Sequence, residues 1–450
     1  MRIAIVGLGA AGSAALLEAA RAGFEAVGFE QFEVGHELGS SHGASRLIRR
    51  TYPDAFHSRW MGPAYEAWAR VEGLTGEELF VKCGGLTFGP ERDATLQATR
   101  DALVDCGIAH EVLSREGVAE RFPVLDIGEG AVGIYQEDAG FLRADRCVRS
   151  QVDAAKKFGA LVYERCRVIG IEEAGGGVTV VTDHGSTATV EALAKVCPET
   201  LHVRDAAIKA RLSEPGLEPG ETNRLLNEIK LIAEQLKGAG QRIDSSDRFA
   251  PNRKPSLEPF PRGTHSEHFD AVVVTAGPWV GKLLPGLRLP LQVMLRQTVY
   301  LGVDGDEERF APGRFPVWIH HPTDHYGFPS DGVLPGIKAA WHHGGPEFDP
   351  SSPDRPMMAE LADSVRDHTM KHVAELTGEI LSAKACLYTV TPDERFILDF
   401  VPGARRQIVC SGCSGHGFKF SALLGELTVA MARDGRRPAN SEPWRLDRFR

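Results

Sequence analysis

Residues 1–30, MRIAIVGLGAAGSAALLEAARAGFEAVGFE, read as a strand, a glycine turn, a helix and a second strand. Arg2 to Val6 is a run of strand formers, and Gly7, Gly9 and Gly12 follow it in the spacing G-x-G-x-x-G. The first glycine permits a tight turn, the second lets backbone approach a pyrophosphate, and the third lets the helix pack closely on the strand. N–H groups near Ala10 that lack partners within the helix then face the phosphates. Ala15 to Ala22 is helix-forming, Gly23 is a stop, and Ala26 to Phe29 makes the next strand. Glu30 ends it, at the place where a dinucleotide's ribose 2′-hydroxyl is held.

A bare G-x-G-x-x-G also arises by chance in ordinary glycine turns, but here both strands, the helix and the acid complete its context. With no partner for a 2′-phosphate, the motif fits FAD or NAD and does not choose between them.

A chain of 450 residues is long enough for two or three domains. Its formal net charge of -10 excludes a general nucleic-acid binder, while the local cluster Arg46, Arg49 and Arg50 suits a single anion. No charged leader with an apolar core precedes the first strand, and no apolar run reaches membrane-spanning length. The eight cysteines, at 83, 106, 147, 166, 197, 386, 410 and 413, form no regular framework of a secreted protein. These features lead to the expectation of a cytoplasmic protein.

After Glu30 a loop rich in glycine, serine and histidine runs into the arginine-studded stretch GASRLIRR, and such loops often carry function. Trp60 to Val71 has helical periodicity, 81–90 reads as a bent strand, and Asp145 to Phe158 is a helix. Residues 161–185 have the rhythm of a β-meander turning at Gly175 to Gly177, with 268–284 as its expected partner. The piece between, 188–266, holds an amphipathic helical pattern at Leu225, Leu226, Ile229, Ile232, Ala233 and Leu236, then a proline-rich, charged linker. It reads as a surface elaboration or as a contact for a partner or a second copy. Beyond Pro290 come strands of a second, mainly antiparallel sheet, a helical region at 356–376, and a last strand, glycine-rich turn and helix.

Four separated stretches carry a resemblance: the N-terminal motif, GSSHGASRLIR (39–49), CLYTVTPDERFILD (386–399) and SGHGFKF (414–420). In that order they closely resemble the monomeric sarcosine oxidase family, which includes N-methyltryptophan and pipecolate oxidases and bacterial fructosyl-amino-acid oxidases. The likeness spans nearly the whole chain except 188–266. It implies an α/β (α+β) fold: a glutathione-reductase-like, Rossmann-type FAD-binding domain interleaved with an antiparallel-sheet substrate domain. The implied FAD domain comprises 1–80, 141–187, 267–290 and 386–450, and the implied substrate domain 81–140 and 291–385.

The resemblance also implies FAD attached through its 8α-methyl to the sulfur of Cys386, a sensible nucleophile whose alternative is a buried strand cysteine. Ser40, His42 and Arg46 then lie by the cofactor, and Ser41 stands where the sarcosine enzyme has a second histidine. Gly415 and Gly417 are implied to bring backbone N–H groups to the flavin, or else to serve a sharp bend. Arg49 and Lys419 match the cations that hold a substrate carboxylate. Lys338 matches the lysine that assists oxygen, although an edge-strand lysine is the plain alternative, and His342, Tyr326 and Tyr388 match residues of the substrate pocket. Cys410 and Cys413 form a C-x-x-C without the second pair that zinc requires, so packing is the expected role and no metal site is read.

The implied reaction is oxidation of a secondary amino acid, N-methylated or cyclic, with hydride passing to flavin N5, hydrolysis of the imine, and reduction of O2 to H2O2. The small amino acid and O2 are the expected partners. A dehydrogenase of the same fold with another electron acceptor is the near alternative. A flavin-bearing binding or assembly subunit is the distant one.

Overall fold

IAIV at 3–6 and AVVV at 271–274 are continuous apolar runs, as strands buried on both faces must be. They lie side by side in a six-stranded sheet ordered Ile397–Phe400, Gln407–Ser411, Ala271–Val274, Arg2–Val6, Glu25–Phe29, Leu161–Tyr163. All neighbours are parallel except the antiparallel edge strand Ile397–Phe400. Ile3 and Ile5 face one side with the helices Ala10–Arg21, Ala144–Lys157 and Ser421–Asp434, sharing a core with Leu16, Val152 and Leu424. Ala4 and Val6 face the other, against Val168, Val178 and Val180 of a three-stranded sheet, Cys166–Ala174, Gly177–His184, Gly263–Phe269.

The structure, a computed structural model, describes residues 1–174, 176–184, 263–321, 323–352 and 354–449. The amphipathic pattern at 225–236 and all but the last residues of the piece 188–266 lie outside the described residues. The chain divides into two units, Met1–Thr182 with His265–Arg450, and Asp183–Thr264.

The first helix spans Ala10–Arg21 and begins immediately after Gly9, at the place where the motif puts its unpartnered N–H groups. Gly9 offers no side-chain cap, and Ser41 Oγ instead accepts from Ala10 N–H at 3.0 Å. Gly12 is packed so tightly that a Cβ there would lie 1.8 Å from the carbonyl oxygen of Gly7. At the other end of the chain Gly425 allows a similar approach of helices, since its Cβ would meet Ala14 Cβ at 2.6 Å. Helix Ala55–Thr75 is capped by Asp54, which accepts from His57 N–H at 2.9 Å, and stops at the left-handed Gly76.

An eight-stranded sheet stands apart from the parallel one, in the order Leu376–Val390, Gln292–Val303, Ile337–Trp341, His325–Gly327, Val317–His320, Gly85–Pro90, Ala131–Gln136, Glu111–Leu113. Its pairs are antiparallel except Val317–His320 with Gly85–Pro90, which run parallel because two chain segments far apart in sequence meet there with no hairpin between them. A small sheet of Arg46–Ile48, Gly140–Leu142 and Phe80–Lys82 completes the set.

The mixed α/β fold expected from the resemblance is therefore present, with three differences in detail. The segment 268–284 does not pair with the meander as one piece: Gly263–Phe269 joins the meander's sheet, and Ala271–Val274 crosses to the parallel sheet beside Arg2–Val6. Asp270 marks the crossing, its carboxylate accepting from Arg2 N–H at 2.6 Å. Leu161–Tyr163, read as part of the meander, is an edge strand of the parallel sheet. The division read at 385/386 falls inside one strand, so Cys386 is carried by the eight-stranded sheet, opposite Arg296.

Candidate active site

A cavity opens at the carboxyl ends of the parallel strands, where ligands of open α/β sheets bind. Gly7, Gly9 and Ala10 form its phosphate end, with Gly7 in a left-handed conformation (φ 90). Glu30 is buried there, and its carboxylate accepts from Leu8 N–H at 2.8 Å and Phe32 N–H at 3.1 Å. The acid thus ties the turn to the second strand. Gly12 is absent from the wall because its job is beneath it, in the helix contact.

The far wall comes from Ser40, Arg46, Tyr388, Gly415 and Gly417. Gly415 (φ 78) leaves room for the Tyr388 ring, which an added Cβ would approach to 2.0 Å. Arg46 donates to the carbonyls of Ser45 and Ser40 and has no carboxylate partner among the described residues. Next to it His42 is buried with both ring nitrogens unpartnered. Burial, then the charge of Arg46, pushes its pKa well below the usual value. On the cavity wall itself the hydroxyls of Thr389 and Ser421 are also buried without a partner. Buried polar groups normally find partners, so this set calls for a ligand rich in donors and acceptors. A dinucleotide-sized cofactor fits both the glycine cradle and the orphaned groups.

His42, Arg49, Tyr326, Lys338, His342, Cys386 and Lys419 are not on the cavity wall. Of these, Tyr326 and His342 touch Tyr388 of that wall, and Cys386 shares its strand. The hydroxyls of Tyr388 and Tyr326 are 3.0 Å apart, and the His342 ring lies 5.2 Å from that of Tyr388. Burial and His343 lower the His342 pKa to about 3, so its imidazole is neutral at ordinary pH. Cys386 is two residues before Tyr388 on one strand, hence on the same face. Burial raises its thiol pKa, while Arg46, Lys338 and Arg296 pull the other way.

Arg49 and Lys419 converge on Tyr52. Lys419 is buried, donating to the Tyr52 hydroxyl and the His416 carbonyl, both at 2.9 Å. The Arg49 guanidinium lies 4.7 Å from the Tyr52 ring centre and donates to Thr51 Oγ1 at 3.1 Å, with its Nε buried and unpartnered. Desolvation lowers the pKa of each, that of Lys419 strongly. Neither has an ion-pair partner among the described residues.

Lys338 is a third isolated cation, 3% exposed, donating to the Ser45 carbonyl at 2.8 Å with Phe328 below it. Burial, then Arg46, lowers its pKa to about 7. Reading the sequence missed what surrounds these groups. Tyr52 joins two cations, and Asp331 accepts from Tyr300 at 2.7 Å and from Ser45 at 3.4 Å. Buried Arg296 donates to the carbonyls of His342 and Gly344, both at 2.8 Å, holding the loop that carries His342. Arg296 had one signal: a charged residue in the apolar run LQVMLRQTVYLGV.

The family model described as "DAO: FAD dependent oxidoreductase" matches residues 2–197 and 248–431. The chain belongs to that family. FAD is therefore the cofactor the cradle serves, and the choice the glycine motif left open is made. The stretch that the family model passes over, 198–247, falls within the piece 188–266. N-methyl-L-tryptophan oxidase from Yersinia pestis is 26% identical over 451 residues, covering 99% of this chain and 98% of that protein, in accord with the resemblance carried by the four motifs. Among solved structures, NikD, an amino acid oxidase of nikkomycin biosynthesis, is similar with TM-score 0.71 at 18% identity, covering 98% of this chain and 96% of that one. L-proline dehydrogenase from P. horikoshii is similar with TM-score 0.71 at 18% identity over 100% and 97% of the two chains. No helix among the described residues is long and apolar enough to cross a membrane.

Proposed function

We propose that this FAD-dependent oxidoreductase oxidises a secondary amino acid, N-methylated or cyclic, to an imine that water hydrolyses, with O2 as the electron acceptor and H2O2 as product. The observation that carries this reading is the pair Arg49 and Lys419, two desolvated cations on one tyrosine with no anion among the described residues. An unpaired charge taken out of water costs several kcal/mol, and a substrate carboxylate offsets that cost while fixing the amino acid in one orientation.

When bound, FAD supplies a hydride acceptor at N5. Cys386 is the residue we assign to its covalent attachment, with Arg46 and Lys338 favouring the thiolate that attachment requires. Ser40, His42 and Arg46, with the backbone of Gly415 and Gly417, hold the ring end, and Glu30 with the turn at Gly7 and Gly9 the nucleotide end. His342 is neutral and so acts as a hydrogen-bonding wall, not a charge. The paired hydroxyls of Tyr326 and Tyr388 line the amine's side. No side chain is asked to be a strong base if the amine binds neutral. Lys338 supplies a positive charge for the negative charge that develops on oxygen.

The activities of similar proteins, an N-methyl-L-tryptophan oxidase and an amino acid oxidase, support the substrate class. The similarity to an L-proline dehydrogenase keeps a second reading in play, the same amine chemistry with another acceptor. Both are tested by mixing the flavin-loaded protein anaerobically with sarcosine, N-methyltryptophan, L-proline, L-pipecolate and a fructosyl amino acid. Bleaching of the visible flavin band by one of these is expected, with rapid return of colour and H2O2 on admitting air. Bleaching without rapid reoxidation moves the assignment to the dehydrogenase, and no bleaching by any amine overturns both.

A further inference from the structure

A cluster of histidines lies outside the residues assigned to the flavin and the amine. His368 and His372 are one helical turn apart at the end of helix Ala359–His372, on one face of it. Strand Val317–His320 brings His320 against them. One nitrogen from each of the three lies within 4.8 Å of the others.

We propose that His320, His368 and His372 form a binding site for one divalent transition-metal ion of the zinc class.

His320 Nδ1 and His368 Nε2 are 3.1 Å apart. Two nitrogens bound to one tetrahedral zinc at about 2.1 Å are about 3.4 Å apart, so this pair needs almost no movement. His372 is held by its other nitrogen: Nδ1 lies 2.9 Å from the carbonyl oxygen of Asp126, whose own N–H donates to the His372 carbonyl at 2.8 Å. A ring that gives its Nδ1 proton to a backbone carbonyl keeps the Nε2 lone pair for a metal, and such a partner fixes the ring's orientation. The three side chains are only partly buried, which leaves an entry path and a free coordination position for water.

No carboxylate is ion-paired to His320, His368 or His372 among the described residues, so the cluster is not a set of acid–histidine bridges. Without an ion, His320 Nδ1 and His368 Nε2 bond to each other and to the Thr323 hydroxyl, at 2.8 and 3.4 Å, and the His372 ring packs against that of His320 with ring centres 4.6 Å apart; an ion at the three nitrogens displaces that hydroxyl. Imidazole nitrogens suit zinc, copper and nickel, and exclude calcium and magnesium, which take oxygen ligands. Bound there, the ion ties the helix to the strand beside His325–Gly327, which carries Tyr326.

The test uses the flavin-loaded, full-length chain, free of any affinity tag and stripped with chelator. Calorimetric titration with Zn2+ is expected to give one ion per chain and a higher thermal midpoint. His368→Gln and His372→Gln should each weaken binding by about 100-fold with the flavin spectrum unchanged, whereas His110→Gln, an unrelated histidine, should not. Absence of uptake, or uptake unaffected by the first two variants, overturns the site. Should those variants fail to fold, Cu2+ added to the wild-type chain decides: electron paramagnetic resonance must show hyperfine coupling to three imidazole nitrogens, and fewer overturns the proposal.

Discussion

At the glycine turn the anion-facing groups are backbone N–H, presented because Gly7, Gly9 and Gly12 lack side chains; around Tyr52 they are the side chains of Arg49 and Lys419. The first site is local, built within a few residues of one strand and one helix. The second draws Arg49 and Tyr52 from one end of the chain and Lys419 from the other. At the turn, Ser41 and Glu30 accept from two of the backbone groups, those of Ala10 and Leu8. The cations around Tyr52 have only neutral oxygens. A backbone anion site is stable without its ligand, whereas a cation pair withdrawn from water is a cost that its ligand repays.

The largest effect that follows is on substrate, not cofactor. Replacing Arg49 and Lys419 together by Met should lower kcat/KM for a carboxylate-bearing amine by about 10³-fold, while flavin content stays that of the wild type. Steady-state kinetics beside those of an amine lacking the carboxylate check this. Equal losses on both would mean that the pair is structural, and the contrast between the two sites would fail.

Lys338→Met should slow reoxidation of the reduced protein by O2 by about 100-fold and leave anaerobic reduction unchanged, as read by stopped-flow absorbance. Unchanged reoxidation removes Lys338 from the oxygen step.

On the cofactor side, Gly12→Ala should cut FAD content by about tenfold, because its Cβ meets the backbone carbonyl of Gly7 at 1.8 Å. Full flavin occupancy in that variant would show that the helix contact is not what shapes the cradle.

A smaller effect concerns pH. Lys338 carries its charge below a pKa of about 7, so the rate with O2 should fall as pH rises through that value, and Lys338→Met should flatten the profile. Its folded pKa is depressed, so the unfolded chain binds more protons between that value and the ordinary lysine pKa, and stability should rise with pH over the same window. A rate that rises with pH would assign oxygen activation elsewhere. Smallest of all, deletion of 188–262 with the flanking strands rejoined should still give a yellow protein, and a colourless product would count against that.

The glycine turn was fully legible because each of its requirements is a residue type at a fixed spacing. Its helix starts at Ala10, where the motif places it; that Ser41, far along the chain, accepts from the Ala10 N–H gave no signal. The strand 271–274 was recognised as apolar but assigned to the wrong neighbour, since an unalternating run is buried on both faces and does not state against what. Arg49, Lys338 and Lys419 were picked out through motifs; that they stand as isolated cations depends on what surrounds them. Asp331 and Tyr300 gave no signal, being an acid in a loop and a tyrosine in a strand. The histidines 320, 368 and 372 escaped because their ligand spacing exists only across a strand and a helix.

The sequence by itself determined the dinucleotide cradle, which rests on residue types at fixed spacing in a strand, turn and helix, and through the resemblance of four motifs it pointed to the mixed fold and the family. Which strand neighbours which, which polar groups are left without partners, and which distant side chains share one tyrosine or face one ion were decided only by the tertiary structure. Burial and charge compensation are properties of the assembled core, and no stretch of the chain contains them alone.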